Sequence, residues 1–278
     1  MRLRALLLAA GAAVFLTACS GGSSAPDPGS PAFLWDAARR AYHSGDLAKA
    51  NDDLSELQQS DNEFSPRARI WQIVLAGGLT EGYSKLADGY ESGARLSADN
   101  ALAFHKQVVD LRSLAAHAAM DFTQAVHAFT TRDPSSEVQL AFELPPGSAT
   151  DPLLLRKAYA GVPMTDGEIQ SLETAMVERG VIRAICQAAT ASEGDSAQAL
   201  ERFRASEVKT PRTTFVYAAA RMLFDISDLF GPAKTDEPQK RRVMLAEAIA
   251  ALQSIPETKD TTALAGKIQP VLKKIPTM

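Results

Sequence analysis

The chain reads as an all-α protein built from antiparallel helix pairs, with one short extended segment near 136–146. Three observations predict this. Aromatic residues make up only 6% of the 278 residues while alanine is abundant, and alanine is the residue that costs least in a helix. From Phe33 onward, apolar residues recur three or four positions apart, the spacing of one helix face. Val and Ile runs of strand length are nearly absent. A hydrophobic fraction of 46% allows a sizeable core, and the length allows one large domain or two small ones. The net charge of −4 supplies no basic footprint for nucleic acid.

Taken in order, the elements begin with a targeting segment. Arg2 and Arg4 precede an apolar run, Leu6 to Leu16, that is too short for a settled membrane span and has the build of a secretory signal. Residues 20–31, SGGSSAPDPGSP, cannot bury enough apolar surface to fold and read as a tether. Leu34, Ala38, Ala41, Ala50, Leu54 and Leu57 then mark two short helices, split by a stop, turn and start at Ser44-Gly45-Asp46. Gly77, Gly78, Gly82, Gly89 and Gly93 punctuate the next helical stretch. They admit close helix packing, or close approach of backbone to a ligand. Tyr83 and Tyr90, seven residues apart on one face there, are candidate ligand or partner contacts beside a core-packing role.

Phe104, Val108, Leu111, Ala115, Ala118, Phe122, Val126 and Phe129 predict one long amphipathic helix, or two with a subtle break. His105, His117 and His127 fall on it, and no two of them are three or four residues apart. Residues 132–152 break the helical period. Val138, Leu140, Phe142 and Leu144 alternate with polar residues as in a half-buried strand, an extended linker or an edge open to augmentation. Thr165 with Glu168 forms a capping box that starts a helix reaching roughly Ala191. Gly194-Asp195 turns the chain, and Thr210 with Pro211 sets the N-cap and first position of another helix. The stretch ISDLFGPAKTDEPQKRR, residues 226–242, reads as a long inter-helix loop. In it Leu229 and Phe230 either plug the core or dock a partner, and Lys240, Arg241 and Arg242 form a small basic cluster for an acidic partner or ligand.

Two resemblances add to this reading. Leu16-Thr17-Ala18-Cys19 resembles the lipobox of bacterial lipoproteins: an aliphatic residue, two small ones, then cysteine. The resemblance implies cleavage before Cys19 and acylation of that residue. Each buried methylene adds about 0.8 kcal/mol of membrane affinity, so several chains anchor durably without a spanning helix. Ser20, standing where Asp would imply inner-membrane retention, implies the periplasmic face of the outer membrane. The other cysteine, Cys186, is read as a small buried apolar side chain.

Gly194-Asp195, Ala199, Phe203 and Pro211 resemble the second half of a tetratricopeptide repeat. Gly45-Asp46, Ala50 and Leu54 match in the same frame, departing at Asn62, where proline would stand, with Pro66 a little later. The resemblance covers about a third of the chain and implies helix pairs stacked in an irregular right-handed superhelix with a concave groove. The expected organisation is a signal peptide (1–18), a lipid anchor and tether (19–31), an N-terminal helical half (32–131), an extended linker (132–152) and a C-terminal repeat-like half (153–278).

Motifs for chemistry are missing. There is no phosphate loop, no His-Glu-x-x-His, no Cys-x-x-Cys and no Gly-x-Ser-x-Gly elbow. The sequence therefore predicts no enzyme, no cofactor and no metal site. The expected function is that of an envelope lipoprotein acting as a protein-binding scaffold or assembly factor, held to the membrane through Cys19. The alternative is an accessory component of a periplasmic solute-transport system, binding a small ligand in a helical pocket.

Overall fold

The computed structural model describes residues 26–140, 144–145, 151–190 and 208–276. Within them the chain is all-α, with one two-stranded sheet. The first helix, α1 (Pro31–His43), starts where the tether was expected to end. The Ser30 hydroxyl accepts from the Phe33 N–H at 3.2 Å, and Pro31 fills a first-turn position that needs no N–H. Gly45 takes a φ of 84°, which an L side chain resists, and reverses the chain. The Asp46 carboxylate then accepts from the Lys49 N–H and starts α2 (Leu47–Leu57). All six apolar positions that predicted this hairpin are buried.

Two 32-residue helices form the centre: α3 (Ser65–Leu96) and α4 (Ala101–Arg132). At 1.5 Å per residue each is about 48 Å long. Contacts between Tyr90 and Phe104, Gly77 and Phe122, and Arg69 and Asp133 pair rising with falling numbers, so the two run antiparallel. The eight apolar residues that predicted a helix over this stretch are all buried, on a single unbroken α4.

The glycines of α3 explain what lies on its other side. Helix α6 (Asp166–Thr190) crosses at backbone contact. A Cβ at Gly78 would lie 2.4 Å from the Val181 Cα, one at Gly82 2.7 Å from the Val177 Cα, and one at Gly180 2.2 Å from the Gly78 carbonyl oxygen. No side chain fits at these three glycine positions. A second close approach sits near the end of α3, where Gly93 faces Ala158, in the last turn of α5 (Pro152–Ala160), and its cap Gly161. Thr165 and Glu168 form the expected reciprocal cap of α6, with Thr165 N–H to Glu168 at 2.9 Å and Glu168 N–H to the Thr165 hydroxyl at 3.3 Å.

The extended segment departs from expectation. Glu137–Leu140 forms strand β1, which pairs antiparallel with a second strand, β2 (Val208–Pro211). Val138 and Leu140 point inward as predicted, but their neighbour is a strand of the same chain. Pro211 is the last strand residue and Thr210 is buried in the pair, so neither opens a helix in the way the sequence suggested. Helix α7 (Arg212–Ile226) begins one residue later. The reason is that Thr210 and Lys209 are held by the ladder to Val138 and Gln139, which keeps them extended.

A short 3-10 turn (Ser227–Phe230) leads to α8 (Pro238–Gln253) and α9 (Lys259–Lys274). The loop is thus shorter than expected, and Lys240, Arg241 and Arg242 stand on the first turns of α8. One hydrophobic core joins both sides of the 132–152 segment, from Leu34 on α1 through Leu75 on α3 and Phe122 on α4 to Leu245 on α8 and Ile268 on α9. No helix among the described residues is long and apolar enough to cross a membrane. The residues carrying two expectations, Cys19 for lipidation and Gly194, Asp195, Ala199 and Phe203 for the second repeat-like unit, lie outside the described residues, as does Phe142.

Candidate functional site: a trough along α4

Helices that pack on both flanks of α4 leave part of its outer face open. Two adjoining concavities lie there and share Met120 as a lining residue. The first, of about 630 Å³, has Gln58 and Gln59, just past the end of α2, on one side, Gln124 and His127 of α4 on the floor, and Val243 and Glu247 of α8 on the other. The second, of about 500 Å³, continues towards the start of α4, with Val109, Ser113 and His117 on that helix and Lys234, Thr235 and Lys240 opposite.

The lining mixes polar and apolar side chains: Gln58, Gln59, Thr123 and Gln124 stand beside Met120, Ala128 and Val243. Gln58 Nε2 donates to Gln72 Oε1, which fixes that amide. His127 Nδ1 lies 3.0 Å from Glu247 Oε2 across the trough, while Glu247 Oε1 is buried with no partner among the described residues. Amides carry both donor and acceptor and so match the alternating groups of a peptide backbone. Val243, 52% exposed, adds apolar surface on the rim.

The far wall is held rigidly to the centre of the molecule. Arg112 on α4 donates to Glu91 at 2.7 Å and to the Lys234 carbonyl at 3.3 Å, and Lys234 reaches Asp88 of α3 at 3.5 Å. These contacts tie the segment before α8 to the α3–α4 pair.

The residues singled out from sequence are distributed differently. Leu229 and Phe230 are buried, 3% and 1% exposed, and plug the core beneath α8. Lys240 pairs with Glu237 and lies 5.8 Å from the Phe230 ring centre. Arg241 pairs with Asp228 at 3.0 Å, and Arg242 donates to the Ile275 carbonyl. The three bases therefore each have a partner within the molecule and point to three different places. Of the whole set only Lys240 borders the trough.

Tyr83 and Tyr90 are buried along α3, and burial, reinforced by Glu173, pushes each hydroxyl up to about 12. A ligand reaching them would displace core packing. Cys186 is buried too, and burial raises its thiol pKa.

One grouping has no counterpart among the predicted sites. Asp52 of α2 meets His117 and Asp121 of α4, and one ligand-type atom from each lies within 4.8 Å of the others. Asp121 is 8% exposed, and burial pushes its carboxyl above the ordinary range even though Asn51 donates to it at 2.7 Å. His117 and Asp121 are four residues apart, a legible helix pair; comparing histidines only with one another passed over it. Asp52 joins them only through the packing of α2 on α4. Comparison with protein-family models, with curated proteins and with solved structures finds no match for the chain.

Proposed function

We propose that the chain is a bacterial envelope lipoprotein, anchored through acylated Cys19 on the periplasmic face of the outer membrane, and that its helical body binds a protein partner as a scaffold or assembly factor. The observation that carries the binding half of this reading is the open trough over α4, bordered by the amides of Gln58, Gln59 and Gln124 and the exposed side chain of Val243. A trough of this kind accepts an extended or helical segment of another protein. Its open shape supports the scaffold reading over the transport-accessory alternative, which calls for an enclosed pocket. The anchor half rests on the lipobox-like Leu16-Thr17-Ala18-Cys19.

Photo-crosslinking residues placed at Gln59 and Gln124, and as a control at the exposed Lys267 of α9, test the reading in the native envelope. A discrete adduct from the two trough positions, absent from the control, is expected. Equal adducts at all three positions, or no adduct together with a co-purifying small molecule, would overturn the scaffold reading in favour of another. Mass spectrometry of the same preparation is expected to place acyl mass on Cys19; an unmodified amino terminus elsewhere overturns the anchor.

A further inference from the structure

We propose that Asp52, His117 and Asp121 bind a divalent transition-metal ion of the zinc class where α2 packs on α4. The inference is independent of the trough reading and starts from a charge with no adequate counter-ion. Asp121 is more than nine-tenths buried, yet among the described residues its one cationic neighbour is His117, 3.7 Å away and charged only when protonated. No lysine or arginine of the described residues pairs with it. A carboxylate removed from water without a cation is costly, and such groups are ordinarily paired or metal-bound. Asp52 brings a second negative charge to the same point and aggravates the problem. Two carboxylates and a neutral imidazole sum to a charge of −2, which a dication cancels.

A second observation points the same way. Asn51 is 2% exposed and directs its amide into the cluster, Nδ2 donating to Asp121 Oδ2 at 2.7 Å. The other end of that amide, Oδ1, is buried and accepts nothing from the described residues. In a plain structural core this oxygen would cost the full desolvation of an unmatched acceptor. A half-turn of the amide exchanges the Nδ2–Asp121 bond for an Oδ1 that faces the carboxylate side as a further oxygen donor, once a cation has taken over Asp121.

The donor set selects the ion. One imidazole nitrogen with carboxylate oxygens suits zinc and its first-row neighbours, whereas calcium and magnesium favour all-oxygen shells. Ligand bonds of about 2.0–2.1 Å place tetrahedral ligands about 3.3 Å apart, so the 4.8 Å cluster must contract. His117 and Asp52 are exposed and can swing in, while buried Asp121 has the least room to move. Because the ligands come from α2 and α4, the ion would brace the first hairpin against the long helix. His117 also borders the trough.

Calorimetric titration of the full chain with Zn²⁺ alone tests this. Wild type is expected to take up one equivalent saturably. His117→Ala and Asp52→Asn, both at exposed positions, are expected to weaken it at least tenfold, and His105→Ala at another exposed α4 position to leave it unchanged. Excess Zn²⁺ is expected to raise the thermal midpoint of wild type but not of His117→Ala, since a ligand stabilises only the state that binds it. Absence of saturable uptake by wild type, unaltered uptake by His117→Ala, or displacement of Zn²⁺ by equal Ca²⁺ overturns the proposal.

Discussion

Two carboxyl groups in this chain respond to pH in opposite senses, and the reason lies in what surrounds each. Glu168 caps α6 and is held below the usual range first by its hydrogen bond from Lys157, then by the Thr165 N–H. Its folded pKa is depressed, so its contribution to stability is present above the unfolded value of 4.5 and is lost as pH falls through the folded one. Asp121 is raised by burial, so its charge opposes folding at neutral pH and ceases to do so in acid. In metal-free buffer at pH 7, Glu168→Gln is therefore expected to lower the thermal midpoint and Asp121→Asn to raise it. Both differences are expected to fade in melts run towards pH 3. A midpoint for Asp121→Asn below wild type at pH 7 would show that the Asn51 bond outweighs the desolvation of the charge. At this scale the sequence was partly legible: Thr165 and Glu168 announce their cap by spacing alone, while Asp121 is one acid among many until α2 covers it.

At the scale of elements, the α3–α6 seam turns on the missing side chains of Gly78, Gly82 and Gly180. Replacing Gly180 with alanine drives a Cβ to 2.2 Å from the Gly78 carbonyl oxygen, and backbone on both sides must yield. Overpacking of this kind costs about 1–3 kcal/mol, with the upper end expected where backbone is the obstacle. Gly266, inside α9, has nothing within 4 Å of the corresponding position. There the same change is expected to stabilise by about 0.5–1 kcal/mol, through helix propensity and a less flexible unfolded chain. Urea titration of Gly180→Ala and Gly266→Ala thus gives shifts of opposite sign, and like signs would contradict the seam. The amphipathic helices α1, α2 and α4 were readable because each has one wet face, so burial follows the 3.6-residue period. Helix α3 is covered by α4, α6 and the first hairpin, so its period is blurred and its glycines carry the information instead. Strand β2 was missed because four residues, VKTP, acquire a strand identity only from β1, some 70 positions earlier in the chain.

For the whole molecule, the question is whether the segments before and after residues 132–152 behave as one unit. Both tryptophans, Trp35 and Trp71, stand in the first part, with ring centres 5.4 Å apart. Leu245 lies in the second part, fully buried on α8, in the same apolar core that reaches Trp71 through α3 and α4. If that core is thermodynamically continuous, Leu245→Ala must destabilise the tryptophan environment as much as the helices around itself. A buried Leu→Ala change costs about 2–5 kcal/mol. The expected result is a single urea transition in wild type and in Leu245→Ala, with tryptophan fluorescence and far-ultraviolet circular dichroism giving the same midpoint in each, and both midpoints shifted equally by the substitution. A fluorescence midpoint that stays at the wild-type value while the dichroism midpoint falls would instead divide the chain at the 132–152 segment. Continuity also bears on the trough, whose walls come from α2 in the first part and α8 in the second. Only if the two parts fold as one body do Gln59 and Glu247 face each other across a fixed distance, which a partner segment could then recognise by shape.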